Sequence, residues 1–269
     1  MATASLAGTA ATEVLRPTSE AEAVEAFGDG DGVLVVGGGT IVVPDLTYRR
    51  LRPAKALLLK DAGLSGIENE GGRVTIGAAT PLAALVDLPA PIGPCAANIG
   101  DREIRGVATV GGNLCAGEGY EAPRGDLQGP FLAVGATVRS AGAGGIEEEP
   151  LESFLERRRS RLALSISFQT PAAGAFAALD RPHTHDYTAL AVSGARGADG
   201  TIRLAATGVG WWGVRLPSAE AAADDPEAAG RAALEDVDPQ DDALASAWYR
   251  RKVLPVLVRT VLTELEGVA

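Results

Sequence analysis

The sequence is poor in the side chains that bind metals or act as nucleophiles. Its two cysteines, Cys95 and Cys115, cannot form a disulfide framework and are too few for a Cys₄ zinc or iron–sulfur site. On a strand, its two histidines, His183 and His185, would face the same side, but no Cys or third His lies nearby to complete a metal site. We expect them in a polar loop instead. We therefore expect no metal centre within this chain.

Long apolar runs and an excess of positive charge are also missing. No apolar run approaches the roughly 20 residues of a membrane helix, and Met1–Leu15 has neither the basic start nor the apolar block of a secretory signal. The 24 Lys and Arg residues are outnumbered by 35 Asp and Glu residues, and the resulting charge of −11 repels nucleic-acid phosphates. We expect a cytoplasmic protein with no membrane span and no nucleic-acid partner.

The N-terminal part predicts a β-α-β unit. Strands are expected at Glu13–Leu15 and Val33–Val36, on either side of a helix at Glu20–Phe27. Ser19, with Glu22 three residues later, is typical of a capping box at the start of this helix. The 46% of apolar residues in a chain of 269 is enough for one large or two to three small domains.

The rest of the chain changes pattern near residue 170. Before that point the sequence predicts strands at Leu57–Leu59, Arg73–Ile76, Ala136–Arg139 and Leu162–Ile166, and helices at Leu82–Val86, near Ala96–Ile99 and from Leu127. After it, antiparallel strands and then helices are predicted at Thr188–Ser193, Thr201–Gly208, Ser218–Ala223, Glu227–Leu234 and Leu244–Leu265. We expect lobes at about 1–60 and 61–170, and a C-terminal domain at 171–269.

The segment Val33–Thr40 is an apolar strand that runs into three consecutive glycines. Glycines let backbone N–H groups approach a phosphate with no Cβ in the way. A dinucleotide motif G-x-G-x-x-G would need glycine where Val42 stands, and no G-K-[ST] follows, so neither a Rossmann fold nor a P-loop is supported. Taken alone, the glycine triplet is also compatible with a simple tight turn.

A second glycine-rich segment, Ile104–Leu114, has a similar design. Thr109 and Asn113 supply hydrogen-bonding side chains on either side of the pair Gly111-Gly112. Two such segments can grip one diphosphate from opposite sides, which would place the ligand in a cleft between lobes.

The order Gly-Gly-Gly-Thr, then Thr-Val-Gly-Gly-Asn, then Asp126 before an apolar helix resembles the FAD subunit of the xanthine dehydrogenase and carbon monoxide dehydrogenase family of molybdenum hydroxylases. The resemblance covers nearly the whole chain, including Arg181, Asp186-Tyr187 and Tyr249-Arg250-Arg251 in the C-terminal third. It implies an α+β fold: a two-lobed α/β FAD-binding domain of the PCMH/vanillyl-alcohol-oxidase-like type, followed by a smaller C-terminal domain of antiparallel sheet plus helices.

Carried over residue by residue, the resemblance implies a set of FAD contacts. The first segment would wrap the pyrophosphate and ribose, and the second would hold the pyrophosphate from the other lobe. Asp126 would bind the ADP end, although it is also placed to cap the helix from Leu127; Ile99 and Leu164 would contact the cofactor or belong to the core. The implied cofactor-binding residues are Val35, Val36, Gly37, Gly38, Gly39, Thr40, Ile41, Val42, Ile99, Thr109, Gly111, Gly112, Asn113, Asp126 and Leu164.

The same resemblance implies partner subunits. Electrons would arise at a molybdopterin centre in a large subunit, pass through two [2Fe–2S] clusters in a small subunit, reach FAD in this chain and leave to an external acceptor. A dimer of such heterotrimers is expected. Because the flavin carries the redox chemistry, no residue of this chain need be catalytic. The substrate-binding pocket would lie in the large subunit, and the sequence does not identify the acceptor.

Four local features complete the expectations. Ala177 and Ala178 stand where the family often has a lysine near the flavin, and the loop Leu114–Gly125 is longer than in the family. Trp211-Trp212 is expected to pack against the C-terminal helices or a partner. The basic run Arg157-Arg158-Arg159 is expected to be a solvated face or a contact with an acidic partner.

Two other functions remain open on the sequence. One is a stand-alone FAD oxidase of the same two-lobed fold, a class that often attaches FAD through His or Cys; Cys115 is the only thiol near either glycine segment. The other is a scaffold or electron-transfer module that has kept the fold and lost the activity.

Overall fold

The first lobe is built on a small parallel sheet. The fold is that of a computed structural model, which describes residues 12–117, 125–183 and 186–267. The elements of this lobe are β1 (Glu13–Leu15), α1 (Glu20–Phe27), β2 (Val33–Val36), α2 (Val42–Thr47) and β3 (Lys55–Leu58). The strand order is β1-β3-β2, with both pairs parallel.

The start of α1 shows how the sequence encodes this lobe. The Ser19 hydroxyl accepts a hydrogen bond from the Glu22 N–H at 3.2 Å, as the capping box predicts. The Glu22 carboxylate reaches back one residue further than expected and accepts from the Thr18 N–H at 2.7 Å. The first bond satisfies an N–H group that the first turn of the helix leaves open, and the second ties the residue before the cap to that turn.

The second lobe is an antiparallel sheet covered by short helices. Its elements are β4 (Ile67–Glu70), β5 (Arg73–Gly77), a 3₁₀ turn (Leu82–Leu85), α3 (Ile92–Ala97), α4 (Arg102–Val107), α5 (Val110–Leu114), α6 (Gln128–Ala133), β6 (Thr137–Gly142), β7 (Gly145–Pro150), α7 (Leu151–Arg157) and β8 (Leu162–Gln169). The strand order is β4-β5-β8-β6-β7, and every pair is antiparallel.

The C-terminal part has an antiparallel sheet backed by helices. Its elements are β9 (Ala173–Ala178), β10 (Ala191–Arg196), β11 (Ile202–Thr207), β12 (Val214–Arg215), α8 (Pro217–Ala221), α9 (Pro226–Ala232), a 3₁₀ turn (Ala233–Glu235) and α10 (Ala247–Gly267). The strand order is β12-β11-β10-β9. Across the described ranges, no helix combines the length and apolar character needed to cross a membrane.

Several element predictions were incomplete, and the reasons are physical. The edge strands β4 and β7 were missed because their sequences, IENE and GIEEEP, are almost entirely solvent-exposed and show no buried alternation. The second glycine segment ends in a short helix, α5, with Thr109 as its N-cap, which its glycine-rich composition does not indicate. The predicted helix near Ala96–Ile99 lies earlier, at α3, and β9 and α2 were not predicted.

The three parts pack closely on one another. Helix α6 lies between the sheet of the second lobe and the C-terminal sheet, and Gly129 lets it approach Ser193 and Thr207. A bidentate ion pair links the first lobe to the second: Arg139 on β6 donates to the Glu20 carboxylate at 2.6 and 2.8 Å. The cleft described below is therefore held by all three sheets.

Candidate functional site

A large cleft opens between the two lobes. Its volume is about 670 Å³, within the range of roughly 300 to 1,000 Å³ for small-molecule and cofactor sites. Thirteen of the fifteen predicted cofactor-binding residues line it, from both glycine segments and from the helices around them. They are Val35, Gly37, Gly38, Gly39, Thr40, Ile41, Val42, Ile99, Thr109, Gly111, Gly112, Asn113 and Asp126.

The first glycine segment links β2 to α2 and touches the other lobe directly. A Cβ on Gly38 would overlap the carbonyl oxygen of Val107, and a Cβ on Gly37 would overlap the Thr109 hydroxyl. Gly39 has φ +74°, a conformation that favours glycine. The glycines thus allow the two predicted ligand-binding segments to pack against one another at the cleft.

This segment presents a row of backbone donors to the cleft. Within the described residues, the N–H groups of Gly38 to Val42 have no hydrogen-bond acceptor, whereas the next N–H, of Val43, donates to the Gly39 carbonyl at 2.9 Å. Unpaired N–H groups in a glycine-rich turn form a concave site that suits an anion such as a diphosphate. The donor set fits the phosphate-binding role predicted for Val35 to Val42.

The second glycine segment is built differently. Its backbone N–H groups are engaged within the protein: Gly111 donates to the Ala78 carbonyl at 2.8 Å, and Gly112 donates to the Thr109 hydroxyl oxygen at 3.2 Å. The Asn113 side-chain oxygen accepts from the Leu127 N–H at 2.9 Å. The donors that this segment can offer a diphosphate therefore include two side chains, the Thr109 hydroxyl and the Asn113 amide.

Asp126 is a buried acid on the cleft wall. Its relative exposure is 6%, and it lies outside the helix cap, because α6 begins at Gln128 with Leu127 as its N-cap. Burial raises the pKa of the Tyr187 phenol, and the nearby carboxylates of Asp126 and Asp45 raise it further. A carboxylate at this position can accept hydrogen bonds from ligand hydroxyl groups.

The remaining predicted residues lie deeper. Ile99 forms part of the cleft wall and packs into the core of the second lobe. Leu164 is buried in the core shared by the first lobe and β8, and its neighbours Leu162 and Ala163 line the cleft instead. The side chain of Val36 likewise lies outside the lining. The contacts of all fifteen residues with a cofactor stay predictions, and Val36 and Leu164 are the two that do not line the cleft.

Sequence reasoning missed several residues that line the cleft. Arg158 was expected on a solvated face or at a contact with an acidic partner, but its side chain is buried and its guanidinium lies 5.2 Å from the centre of the Trp212 ring. Trp212 packs against the core of the second lobe, not against the C-terminal helices. Arg181 donates to the Gly100 carbonyl at 3.3 Å and thereby holds a loop of the C-terminal part against the cleft. The remaining missed lining residues include Arg159, Arg161 and Tyr187.

Two expectations concern parts of the chain beyond the described residues. His185 and most of the long loop Leu114–Gly125, namely positions 118–124, lie there. Ala177 and Ala178, where the family often has a lysine, belong to β9 in the C-terminal sheet.

Cys115, directly after α5, lies in the cleft wall with a poorly ionised thiol. Burial raises the pKa of this thiol to about 11, and the nearby Arg158 guanidinium only partly opposes the shift. Roughly one thiol in ten thousand is then ionised at pH 7, and the thiolate is the reactive form. We expect slow maleimide labelling of Cys115 at pH 7, with a rate that rises about tenfold per pH unit towards pH 11.

Mass spectrometry of samples quenched between pH 7 and pH 10 would measure these labelling rates. The urea-unfolded chain is the control, because its thiols should ionise near their ordinary pKa and react faster at pH 7. Labelling of native Cys115 at pH 7 as fast as in urea would contradict the assignment.

Comparison with known proteins places this geometry among flavin-binding dehydrogenase components. Residues 10–167 match the family described as FAD binding domain in molybdopterin dehydrogenase. The 6-hydroxypseudooxynicotine dehydrogenase complex subunit alpha of Paenarthrobacter nicotinovorans is 26% identical over 264 residues, and the match covers 87% of each chain.

Solved structures show the same similarity over almost the full length. A chain of the carbon monoxide dehydrogenase from Hydrogenophaga pseudoflava, in a form that lacks the Mo-pyranopterin moiety of its cofactor, is 26% identical with a TM-score of 0.85, covering 96% of this chain and 98% of that one. A chain of the carbon monoxide dehydrogenase from Oligotropha carboxidovorans is 25% identical with a TM-score of 0.85, covering 97% and 100%. Quinoline 2-oxidoreductase from Pseudomonas putida 86 shares the fold, at 18% identity and a TM-score of 0.80, covering 97% and 99%.

Proposed function

Because the chain belongs to the family of FAD-binding domains in molybdopterin dehydrogenases, we propose that it holds FAD in the cleft between its lobes and passes electrons from a partner subunit to an external acceptor. The predicted family and the predicted α+β fold are confirmed. In this proposal a large subunit carries molybdopterin, a small subunit carries two [2Fe–2S] clusters, and two heterotrimers form the complete enzyme. The naming of one relative as a subunit of a dehydrogenase complex supports this arrangement.

The row of unpaired N–H groups from Gly38 to Val42 is the observation that carries the proposal. These N–H groups would bind the diphosphate of FAD, and at Gly38 and Gly39 no Cβ would stand between backbone and phosphate. The Thr109 hydroxyl and the Asn113 amide would donate from the opposite lobe. The Asp126 carboxylate would accept from a hydroxyl of the ADP end.

FAD, when bound, supplies the redox chemistry, so the task of this chain is to bind, orient and shield it. The apolar wall that includes Leu34, Ile99 and Leu162 would exclude water from the ring system. The neutral Cys115 thiol is a poor nucleophile, which disfavours covalent attachment of FAD to this residue. It therefore also disfavours the alternative function, a stand-alone oxidase that attaches FAD covalently.

The proposal is tested by purification through an affinity tag on this chain. We expect flavin absorbance close to one FAD per chain, together with a larger chain that contains molybdenum and a smaller chain that contains iron. Native mass spectrometry and metal analysis of the same sample would establish the composition. A flavin-loaded chain that oxidises a substrate alone would favour the stand-alone oxidase, and a chain without flavin would favour the scaffold.

A further inference from the structure

A buried glutamine connects the cleft wall to the C-terminal part of the chain. Gln128, the first residue of α6, is 2% exposed. Its side-chain Nε2 donates to the Leu114 carbonyl at 2.7 Å, and its Oε1 accepts from the Gly213 N–H at 2.7 Å. Leu114 ends α5, where carbonyls lack partners within the helix, and Gly213 immediately precedes β12. Both ends of the amide are therefore used.

The bond to Leu114 is one half of a reciprocal pair. The Asn113 side chain accepts from the Leu127 N–H at 2.9 Å, while Gln128 donates back to the end of α5. The end of α5 and the start of α6 are thus joined by two hydrogen bonds in opposite directions. This pairing sets the distance between Asn113 and Asp126, which both line the cleft.

The turn at Trp212-Gly213, in the C-terminal part, also holds the cleft wall at a second point. The Trp212 ring, beside Gly213, packs on the guanidinium of Arg158, and Arg158 Nη2 donates to the Gly117 carbonyl at 2.8 Å. The wall segment Leu114–Gly117 is therefore held at both ends by contacts that lead to this turn. A Cβ on Gly213 would overlap the Gln128 side chain, so the close approach requires glycine there.

We infer that Gln128 and Trp212 are positioning residues for the cofactor: through them the turn at Trp212-Gly213 holds the cleft wall that carries Asn113 and Asp126. Neither side chain lines the cleft, so each acts through the residues it holds. The inference rests on the proposed function, since it assumes that FAD is the ligand of the cleft.

A variant of Gln128 that keeps the size of the side chain but removes its two hydrogen bonds tests whether the bonds themselves position the cofactor. In the intact tagged complex, Gln128→Met keeps a side chain of similar length but loses both bonds, and we expect FAD to dissociate on the order of ten times faster. Flavin fluorescence after dilution would measure the rate, and visible circular dichroism of the bound flavin would report the altered site. We expect Trp212→Leu to change both readouts in the same direction.

Gln128→Glu should retain FAD like the parent only when the introduced carboxyl group is protonated. A protonated carboxyl has one donor and one acceptor, so it can replace both bonds of the amide, whereas a carboxylate cannot donate to the Leu114 carbonyl. We expect the FAD dissociation rate of Gln128→Glu to fall towards that of the parent between pH 8 and pH 6, relative to the parent at each pH. The Gln128→Met rate should remain high at both values.

The control is Trp248→Leu, because this side chain is 68% exposed on α10 and should leave FAD dissociation unchanged. Parent-like dissociation rates and dichroism in Gln128→Met and Trp212→Leu, with FAD present in the parent, would overturn the positioning role alone. A parent complex without FAD would instead overturn the proposed function. If Gln128→Met fails to fold, Trp212→Leu and the pH response of Gln128→Glu decide the matter.

Discussion

Replacement of Gly38 by alanine should strip the complex of its FAD. The added Cβ would overlap the Val107 carbonyl oxygen and crowd the Ala108 backbone, neither of which is the end of a flexible side chain. The glycine segment would have to move away from the second lobe, which would displace the N–H groups of Gly38 to Val42 from a shared ligand. We expect the FAD content per chain to fall by about tenfold or more, measured from absorbance and protein concentration.

Two neighbouring glycines serve as comparisons for Gly38→Ala. A Cβ on Gly106, in α4, would meet no atom within 4 Å, so Gly106→Ala should retain FAD fully. A Cβ on Gly112 would meet the Thr109 hydroxyl oxygen at 2.9 Å, the end of a side chain, so Gly112→Ala should have an intermediate effect. A well-folded Gly38→Ala complex with a full complement of FAD would contradict the proposed role of the first segment.

Replacement of Arg250 by methionine should destabilise the C-terminal part severely. The Arg250 side chain is fully buried in α10, with its guanidinium 2.6 Å from the carboxylate of Asp242, whose side chain is 5% exposed. It also donates to the Gln240 carbonyl at 2.6 Å and to the Ala189 carbonyl at 3.2 Å. Removal of one partner from a buried ion pair costs about 3–5 kcal/mol of folding free energy. We expect a fall in Tm on the order of 10 °C, measured by calorimetry.

The adjacent arginine is a matched control. Arg251 also pairs with an aspartate, but its nitrogen lies 3.4 Å from Asp238, and the two side chains are 45% and 80% exposed. Exposed pairs of this kind contribute about 1 kcal/mol or less. Arg251→Met should therefore leave Tm nearly unchanged, and an equal loss in both variants would show that the burial of Arg250 is not the cause.

Features that depend on near neighbours in the chain were predictable. The Ser19–Glu22 cap involves residues three apart, and the apolar strand Val33–Val36 runs directly into its glycines. The paired glycine segments, together with Asp126, were sufficient to predict the family. The polar edge strands were not predictable, because β7 is held mainly by pairing with β6, and the periodicity of its own sequence does not indicate a strand.

The sequence did not show which glycine segment keeps its backbone N–H groups available for a ligand. Both have the composition of a phosphate loop, but the N–H of Gly111 is engaged by the Ala78 carbonyl, which β5 and the residues after it bring alongside α5. In the part of the chain that the structure describes, the N–H groups of Gly38 to Val42 have no such acceptor, and all five residues line the cleft. Only the packing of distant residues determines which of two similar loops keeps its donors available.

The amino-acid sequence by itself thus indicated two glycine segments suited to a phosphate, because these follow from local composition and spacing, and its resemblance to a known family indicated FAD as the cofactor. The tertiary structure decided which atoms remain available to that cofactor and what holds them in place. The basic run illustrates the difference: Arg158 is charged and reads as a surface residue, yet Trp212 from the C-terminal part covers it. A side chain is buried by what packs over it, and residues far away in the chain supply that cover.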